Sequence, residues 1–402
     1  MRVAIVGGGA AGVFAAISCK SHHPQAEVVI LEKTDQLLQK VKVSGGGRCN
    51  VTHNHTSIGE MARCYPRGSK VMKKLFPKFF VKDTIAWFAE RGVKLKVEED
   101  GRMFPTTDSS QTIIDCFLRE IKKLQIDVWF NARVSSVETV ENGYTLEVSK
   151  QKRTFDKVIW ATGGVPNAKA LDWLKERGYV IEKPIPSLFT FNMKKNPITQ
   201  LMGVVANPVT VTIEGFKYQS TGPLLVTHWG MSGPAVLKLS AYAAAFLAQA
   251  NYEYTVHVNW LGSQTENEFR EELNALLLEV GKRKIGNKNP FELPARLWEF
   301  LLQKAEVDPN KTWNEVGKKA LNKLINTLLN DIYEAKGKTT FKEEFVTAGG
   351  ISWSNIQLPT MESKIDPGMY FAGELLDVDG ITGGFNFQAA WTTGYLAGRL
   401  AS

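Results

Sequence analysis

The chain begins MRVAIVGGGAAG, a short apolar run that passes at once into a glycine turn. Gly7, Gly9 and Gly12 keep the G-x-G-x-x-G spacing, and Glu32 closes a second apolar run, Val28-Val29-Ile30-Leu31. Strand, glycine turn, helix, strand and acid in that order are the layout of a dinucleotide-binding βαβ unit. Each residue has a separate task. Gly7 allows the tight turn off the strand, Gly9 lets a pyrophosphate approach the backbone, and Gly12 lets the helix pack against the sheet. The pyrophosphate would sit on the positive end of a helix starting near Ala10, with Glu32 accepting hydrogen bonds from a ribose diol. A glycine motif alone fits an ordinary turn equally well; the acid and the two strands in register argue against that here.

At 402 residues the chain can bury a large core, and two or more domains are expected. No apolar run approaches the roughly 18–20 residues needed to cross a bilayer. The first strand starts at the N-terminus with no secretory pattern ahead of it, so a cytoplasmic protein that avoids membranes is expected. Cys19, Cys49, Cys64 and Cys116 form no C-x-x-C pair and no zinc spacing, so neither a dithiol centre nor a metal site is expected. The net charge of +8 suits anionic ligands such as FAD, NAD(P)H or nucleic acid. Lys33, Lys40, Lys42 and Arg48 fall near the nucleotide motif. Lys282, Arg283, Lys284 and Lys288 form a separate group, which reads as a solvated loop between helices.

The pattern along the chain predicts a helix over 10–21, helical spacing over 69–92 and a helix over 111–124, capped by Asp108 or Ser109. Short strands follow at 128–130, 132–139, 144–149 and 158–161, with Asn142-Gly143 as a hairpin turn. From about 186 the composition shifts. Residues 187–230 alternate like a small antiparallel barrel, Pro234 opens an apolar helix to about 250, and a strand follows at 253–260. Residues 265–335 read as helical, with capping boxes Thr265…Glu268 and Thr312…Glu315. A strand at 368–372, a glycine turn and a helix from 385 close the chain, so the end resembles the beginning in kind. An α/β domain split by an insertion accounts for this order.

Five clusters of Gly, Thr and Asn follow strands or open helices: 7–12, 44–50, 161–164, 349–350 and 373–384. One dinucleotide pyrophosphate needs one glycine turn. A flavin adds a ribityl chain and a large ring, so more backbone must come close.

The N-terminal GGGAAG, Glu32, the ATGG at 161–164 and the C-terminal strand-Gly-acid motif resemble the glutathione-reductase-type FAD-binding superfamily. Within it, SGGGRCN at 44–50, GRMFP at 101–105, THWGMSGPA at 227–235 and GELLDVDGITGGFNFQAA at 373–390 resemble the BaiN-like (YhiN-like) flavoproteins, also described as an aminoacetone-oxidase-type family. The likeness covers essentially the whole chain. It implies an α/β fold with a discontinuous Rossmann-like FAD-binding domain, 1–186 and 340–402, interrupted by a β-barrel-like insertion, 187–262, and a helical subdomain, 263–339. It also implies non-covalent FAD held at matching positions. Ala10 and Ala11 would lie at the pyrophosphate, Glu32 and Lys33 at the adenosine ribose, and Val134 at adenine through its backbone. Ser44, Gly45, Gly46, Gly47, Arg48, Cys49 and Asn50 would lie along the flavin side. Gly373 and Glu374 would meet the pyrophosphate and ribityl chain, and Gly383, Gly384 and Asn386 the ring. Lys40, Ala161, Thr162 and Gly163 complete the candidate set. Many superfamily members have Gly-Asp where this chain has Gly373-Glu374; the longer carboxylate can still accept a ribityl hydroxyl.

Thr382-Gly383-Gly384 opens the final helix, so free N–H groups there favour the negative charge of a reduced flavin. Asn386 and Gln388 are equally read as ordinary first-turn polar residues. No second strand–G-x-G-x-x-G–helix unit is present, so NAD(P)H is expected only as a transient co-substrate. His228 beside Trp229 is either a proton donor over the ring or, as is commoner for such a pair, a packed histidine; Arg48 and Arg102 can hold an anion or a loop. The resulting expectation is an FAD-dependent oxidoreductase acting on a small organic substrate. The resemblance suggests reduction of a conjugated enone or oxidation of an amine such as aminoacetone. RNA modification or redox sensing is the alternative from another class. No concentrated basic-aromatic surface stands out in 265–335, so nucleic acid is not the expected partner. Catalytic residues and oligomeric state stay open.

Overall fold

The computed structural model describes residues 1–400 apart from 166, 288 and 340–345. Lys288 and the expected return to the first domain at 340 therefore lie outside the described residues. The chain divides into two compact units, Met1–Ser187 with Phe341–Ser402, and Leu188–Thr340.

The first unit is built on a seven-stranded sheet with a parallel centre. Arg2–Val6 pairs on one side with Glu27–Leu31, which pairs with Asp127–Trp129, and on the other with Lys157–Trp160, which pairs with Met369–Phe371. Two short antiparallel strands, Ile356–Gln357 and Glu362–Ser363, finish that edge. Val3 to Val6 and Val28 to Leu31 are buried without a break, as a sheet covered on both faces requires. The register aligns Leu31, Val6, Trp160 and Phe371 in one row. Their successors Glu32, Gly7, Ala161 and Ala372 consequently line the carboxyl edge, where open α/β sheets place their ligands.

Helix Ala10–His22 and the last helix, Phe385–Arg399, pack tightly against each other. Gly394 lies so close to the first helix that an added Cβ would stand 2.6 Å from the Ala11 carbonyl oxygen. Phe14, Phe79, Trp87, Phe117 and Trp391 form an aromatic cluster around this contact. Helix Ser110–Lys123 is capped by Ser109, whose hydroxyl accepts the Gln111 N–H at 3.3 Å. The expected helix over 69–92 is two helices, Ser69–Leu75 and Val81–Ala89. Pro77 lies in the interruption, where its ring and missing N–H prevent continuation. Two small sheets were not expected: Thr52–His53 with Arg102–Pro105 and Leu95–Val97, and Ile181–Ser187 with Val346–Ile351. Pro184, Pro186, Gly349 and Gly350 hide the second from sequence patterning, because proline and glycine count against strands.

The second unit holds an antiparallel sheet that runs Asp331–Lys336, Glu253–Asn259, Val205–Ile213, Gln219–Thr227, Gly230–Ser232, Thr190–Asn192 and Lys338–Thr339. Its last strand follows its first after Gly337 alone, so the order closes on itself as a small barrel. Helix Pro234–Gln249 carries its proline at the first turn. Thr265 and Thr312 make their reciprocal capping boxes with Glu268 and Glu315. Barrel residues Val256, Val258 and Trp260 share one core with Phe269, Leu273, Trp298 and Trp313 of the helical stretch. No helix among the described residues is long and apolar enough to cross a membrane.

Candidate cofactor site

The three motif glycines play different parts. Gly7 has φ 111°, and a side chain there would collide with the Ala161 carbonyl. A side chain on Gly12 would run into the Gly7 carbonyl. Gly9 has nothing within 4 Å of where its Cβ would stand. Gly7 and Gly12 thus close the turn, while Gly9 leaves bare backbone facing outward. Gly9 is also the N-cap of helix Ala10–His22, whose first turn carries no acidic side chain and no side-chain cap. The N–H groups near Ala10 and Ala11 are those that an anionic ligand would satisfy.

Glu32 is buried, and its carboxylate is fixed on both sides. Oε2 accepts the Gly8 N–H at 2.8 Å; Oε1 accepts the Thr34 N–H and hydroxyl at 2.9 Å each. Oε1 is thereby filled, and Oε2 keeps one further acceptor direction. The Glu32 carbonyl takes the Ala132 N–H at 2.8 Å, which brings Val134, at the start of strand Val134–Val140, beside the acid. The Lys33 side chain is exposed.

After the neighbouring strand Lys157–Trp160, Ala161 donates its N–H to the Val6 carbonyl at 2.9 Å. Thr162 and Gly163 follow, the latter at φ 77° with open space over it. A Cβ on Gly164 would stand 2.5 Å from Glu374 Oε1 and 2.6 Å from Thr347 Oγ1. Gly373, at φ 73°, presses on the first helix, with 2.6 Å between a Cβ there and that of Ala11; its N–H goes to Thr393 Oγ1 at 2.9 Å. Glu374 accepts the Thr347 N–H at 2.9 Å through one oxygen and pairs with Lys40 at 2.7 Å through the other.

Residues 44–50 join the same region. Helix Gln39–Gly47 unwinds at Ser44, and Gly45 and Gly46 take left-handed backbone. Gly45 packs under Phe104, while Gly46 and Gly47 face open space. Asn50, with its amide oriented to suit its neighbours, accepts the Gly384 N–H at 3.0 Å and donates to the Thr52 carbonyl at 3.0 Å. Gly384, at φ 90°, caps the last helix. The two distant motifs therefore meet through one hydrogen bond.

Several predicted side chains have protein partners. The Arg48 guanidinium lies between Glu98 at 2.6 Å and Asp108 at 3.5 Å and stacks on Phe104. Asn386 clamps Gly380 with two hydrogen bonds, 2.8 and 2.9 Å. Cys49 is fully buried, and burial pushes its thiol up to about 12, so it stays neutral. Arg102 is tied to Asp100 and Glu98. Gln388 joins the buried hydroxyls of Thr52 and Thr84. His228 and Trp229 lie in the second unit with rings 4.6 Å apart. Among the described residues no group of His, Cys, Asp and Glu is arranged to hold a metal ion.

Sequence reasoning missed Thr347 and Thr393, which carry no motif signal of their own. It also passed over an ion pair made by buried Asp379 of the 373–390 motif. Arg67 grips Asp379 with two N–H groups, and Ser187 Oγ donates to the same carboxylate at 2.6 Å. Burial raises the Asp379 carboxyl and Arg67 opposes it. Two residues earlier, burial with Glu182 and Asp379 nearby pushes Asp377 up to about 6.

A family model described as the HI0933-like protein Rossmann domain matches residues 1–400. Over 410 residues the chain is 27% identical to the 3-dehydro-bile acid Δ(4,6)-reductase of Clostridium scindens, covering 100% of this chain and 99% of that protein. Over 403 residues it is 30% identical to the ribosomal RNA dihydrouridine synthase of Escherichia coli, covering 97% and 95%. The structure of a 3-ketosteroid-Δ4-(5α)-dehydrogenase from Rhodococcus jostii RHA1 superposes with a TM-score of 0.52 at 12% identity, covering 98% of this chain and 96% of that one. A flavocytochrome c3 fumarate reductase gives 0.53 at 15%, covering 99% and 77%. The two structural likenesses show a shared fold.

Proposed function

The chain belongs to the HI0933-like Rossmann-domain family, and from that premise we propose that it is an FAD-dependent oxidoreductase reducing a carbon–carbon double bond conjugated to a carbonyl. The observation that carries the cofactor is the bare backbone at Gly9, Gly46, Gly47 and Gly163, in the turns after two neighbouring strands of one sheet edge and in 44–50. A nucleotide alone would need the first of these; an extended dinucleotide with a large ring makes use of all four. The reaction is supported by the names of two relatives. One reduces Δ(4,6) double bonds of a 3-dehydro bile acid, and the other makes dihydrouridine, whose ring has gained two hydrogens beside a carbonyl. In dihydrouridine and at the Δ4 bond of the bile acid, such a reduction places a hydride equivalent on the carbon β to a carbonyl and a proton on the α carbon; at the Δ6 bond the hydride joins the δ carbon through the extended conjugation.

Bound and reduced, FAD supplies the hydride for such an addition. The chain's own residues bind and orient. Ala10 and Ala11 would offer helix N–H groups to the pyrophosphate, and Glu32 Oε2 would offer its remaining acceptor direction to a ribose hydroxyl. Lys40 and Glu374 set the cofactor's middle, and the Gly383-Gly384 helix start favours negative charge at the ring edge. In this reading 1–186 with 340–402 hold FAD, and 187–262 and 263–339 choose the substrate. NAD(P)H is the proposed reductant. The favoured substrate is a small enone. A uracil base in RNA is the second reading, favoured by the 30% identity to the dihydrouridine synthase.

Anaerobic exposure of the FAD-loaded protein to NADH, NADPH and aminoacetone in parallel tests the assignment. Bleaching of the oxidised flavin by a nicotinamide is expected. Bleaching by aminoacetone alone would replace the reductase reading with an amine oxidase.

A further inference from the structure

Charge in the helical stretch of the second unit is sharply divided. Helix Glu266–Val280 carries Glu266, Glu268, Glu271, Glu272 and Glu279 against Arg270 alone. Beyond its end come Lys282, Arg283 and Lys284, all exposed. The sequence suggests a solvated loop there, but the backbone is pinned. The Ile285 N–H goes to the Lys311 carbonyl at 2.9 Å, the Trp313 N–H to Arg283 at 3.1 Å and the Asn314 N–H to Gly281 at 2.9 Å. Trp313 is buried and anchors this ladder. Exposed Lys311 is thereby set beside the first three cations. Seven residues further, Lys318 and Lys319 occupy the first turn of helix Lys318–Leu329, within about 25 Å at full extension. That turn has no acidic residue, so two cations stand at the positive helix end, which is unfavourable unless an anion is present.

Among the described residues none of these six cations has a carboxylate within ion-pair distance. The acids nearest in sequence make their close contacts with other groups. Glu315 caps Thr312 at 2.8 and 2.9 Å, Asp308 takes the Asn310 N–H at 2.9 Å, and Glu306 pairs with Lys323 at 2.7 Å. Six exposed cations without a close ion pair, of which only Lys311 and Lys319 feel a carboxylate at longer range (Glu315 and Glu306), fit a polyanion with regularly spaced charges better than one small ion. The adjoining acidic helix would repel the same polymer and fix its direction.

We propose that Lys282, Arg283, Lys284, Lys311, Lys318 and Lys319 form a docking surface for the phosphate backbone of RNA. The proposal rests on the second substrate reading above, in which the reduced base belongs to an RNA.

The test is binding of a labelled uridine-containing RNA hairpin to the FAD-loaded protein across a salt series. Wild type is compared with Lys284→Glu/Lys318→Glu and with a charge-matched control, Lys194→Glu/Lys195→Glu, at exposed positions of the same unit. From about 50 to 200 mM salt, wild-type affinity should fall steeply. The patch variant should lose about tenfold or more at the low-salt end and about two from the log–log salt slope, with the control near wild type. Equal affinity and slope in all three proteins, or no salt-sensitive binding by wild type, overturns the proposal. Flavin content and reoxidation by a small enone are measured on the same samples and should be unchanged in the patch variant. RNA binding lost with those intact indicts the surface; patch-dependent binding without any flavin redox response would leave the surface standing and refute the reductase reading.

Discussion

Lys40 Nζ and Glu374 Oε2 lie 2.7 Å apart although 334 residues separate them in sequence. The pair ties the first turn of helix Gln39–Gly47 to the turn after the last strand of the parallel sheet. Glu374 is the better buried partner, and its second oxygen already holds the Thr347 N–H. Lys40 is half exposed, so the pair contributes little to stability, on the order of 0–1 kcal/mol. Its role is to fix Glu374 where a bound cofactor would pass. Lys40→Ala should therefore leave the thermal midpoint nearly unchanged while FAD affinity falls by about tenfold, the scale of one charge-assisted hydrogen bond. A titration following quenching of flavin fluorescence, run beside a melt, separates the two effects.

Glycine substitutions should split in the same way. At Gly12 an added methyl collides with the Gly7 backbone, so Gly12→Ala should destabilise the fold itself. At Gly9 the methyl meets no protein atom, so Gly9→Ala should fold and melt normally yet fail to retain FAD. Equal flavin content in wild type and Gly9→Ala would remove Gly9 from the site.

The pairing of Arg67 with fully buried Asp379 predicts a large effect from a single truncation. Arg67→Ala would leave an unpaired carboxylate with 0% exposure, and breaking such a pair costs roughly 3–5 kcal/mol. Denaturant unfolding at neutral pH measures it. Replacing Asp379 by Asn in the same background should recover part of the loss.

Asp377 gives a pH dependence of definite sign. Its folded carboxyl titrates near 6, above the ordinary value of 3.8, so the folded state holds the proton more tightly than the unfolded chain. Stability from this group is present below the unfolded value and is lost as pH rises through about 6. Asp377→Asn should accordingly stabilise the protein at pH 8 and make no difference near pH 4, read as the difference in melting midpoint.

Thiol labelling should report the cysteine environments. Burial pushes Cys19 and Cys49 up to about 12 and Cys116 to about 11, while Cys64 is partly exposed. A brief alkylation of the native protein at pH 8 should modify Cys64 alone, seen as one added group by mass spectrometry.

The N-terminal motif was legible because strand, glycines and acid follow one another within 32 residues, and local order is what a sequence displays. The capping boxes at Thr265 and Thr312 were legible for the same reason. The contact of Asn50 with the Gly384 N–H was not, since 334 residues part them and neither has a periodic signal. Arg48 and Asn386 sit in the expected motifs, yet Glu98, Asp108 and Gly380 engage their side chains, which motif spacing cannot foretell. The cations at 282–284 appeared to belong to a loop because the ladder to 311–314 is a tertiary pairing.

The central claim is hydride addition to a double bond beside a carbonyl, and its most direct measurement is a single turnover. FAD-loaded protein is reduced chemically without oxygen and then titrated with a 4-ene-3-keto steroid, a uridine-containing RNA or the corresponding saturated ketone. One equivalent of an acceptor bearing the conjugated double bond should restore the oxidised flavin spectrum and yield product heavier by two hydrogens. The saturated ketone should restore nothing. Flavin that stays reduced with every conjugated acceptor, and reoxidises promptly when oxygen is admitted, would contradict the account.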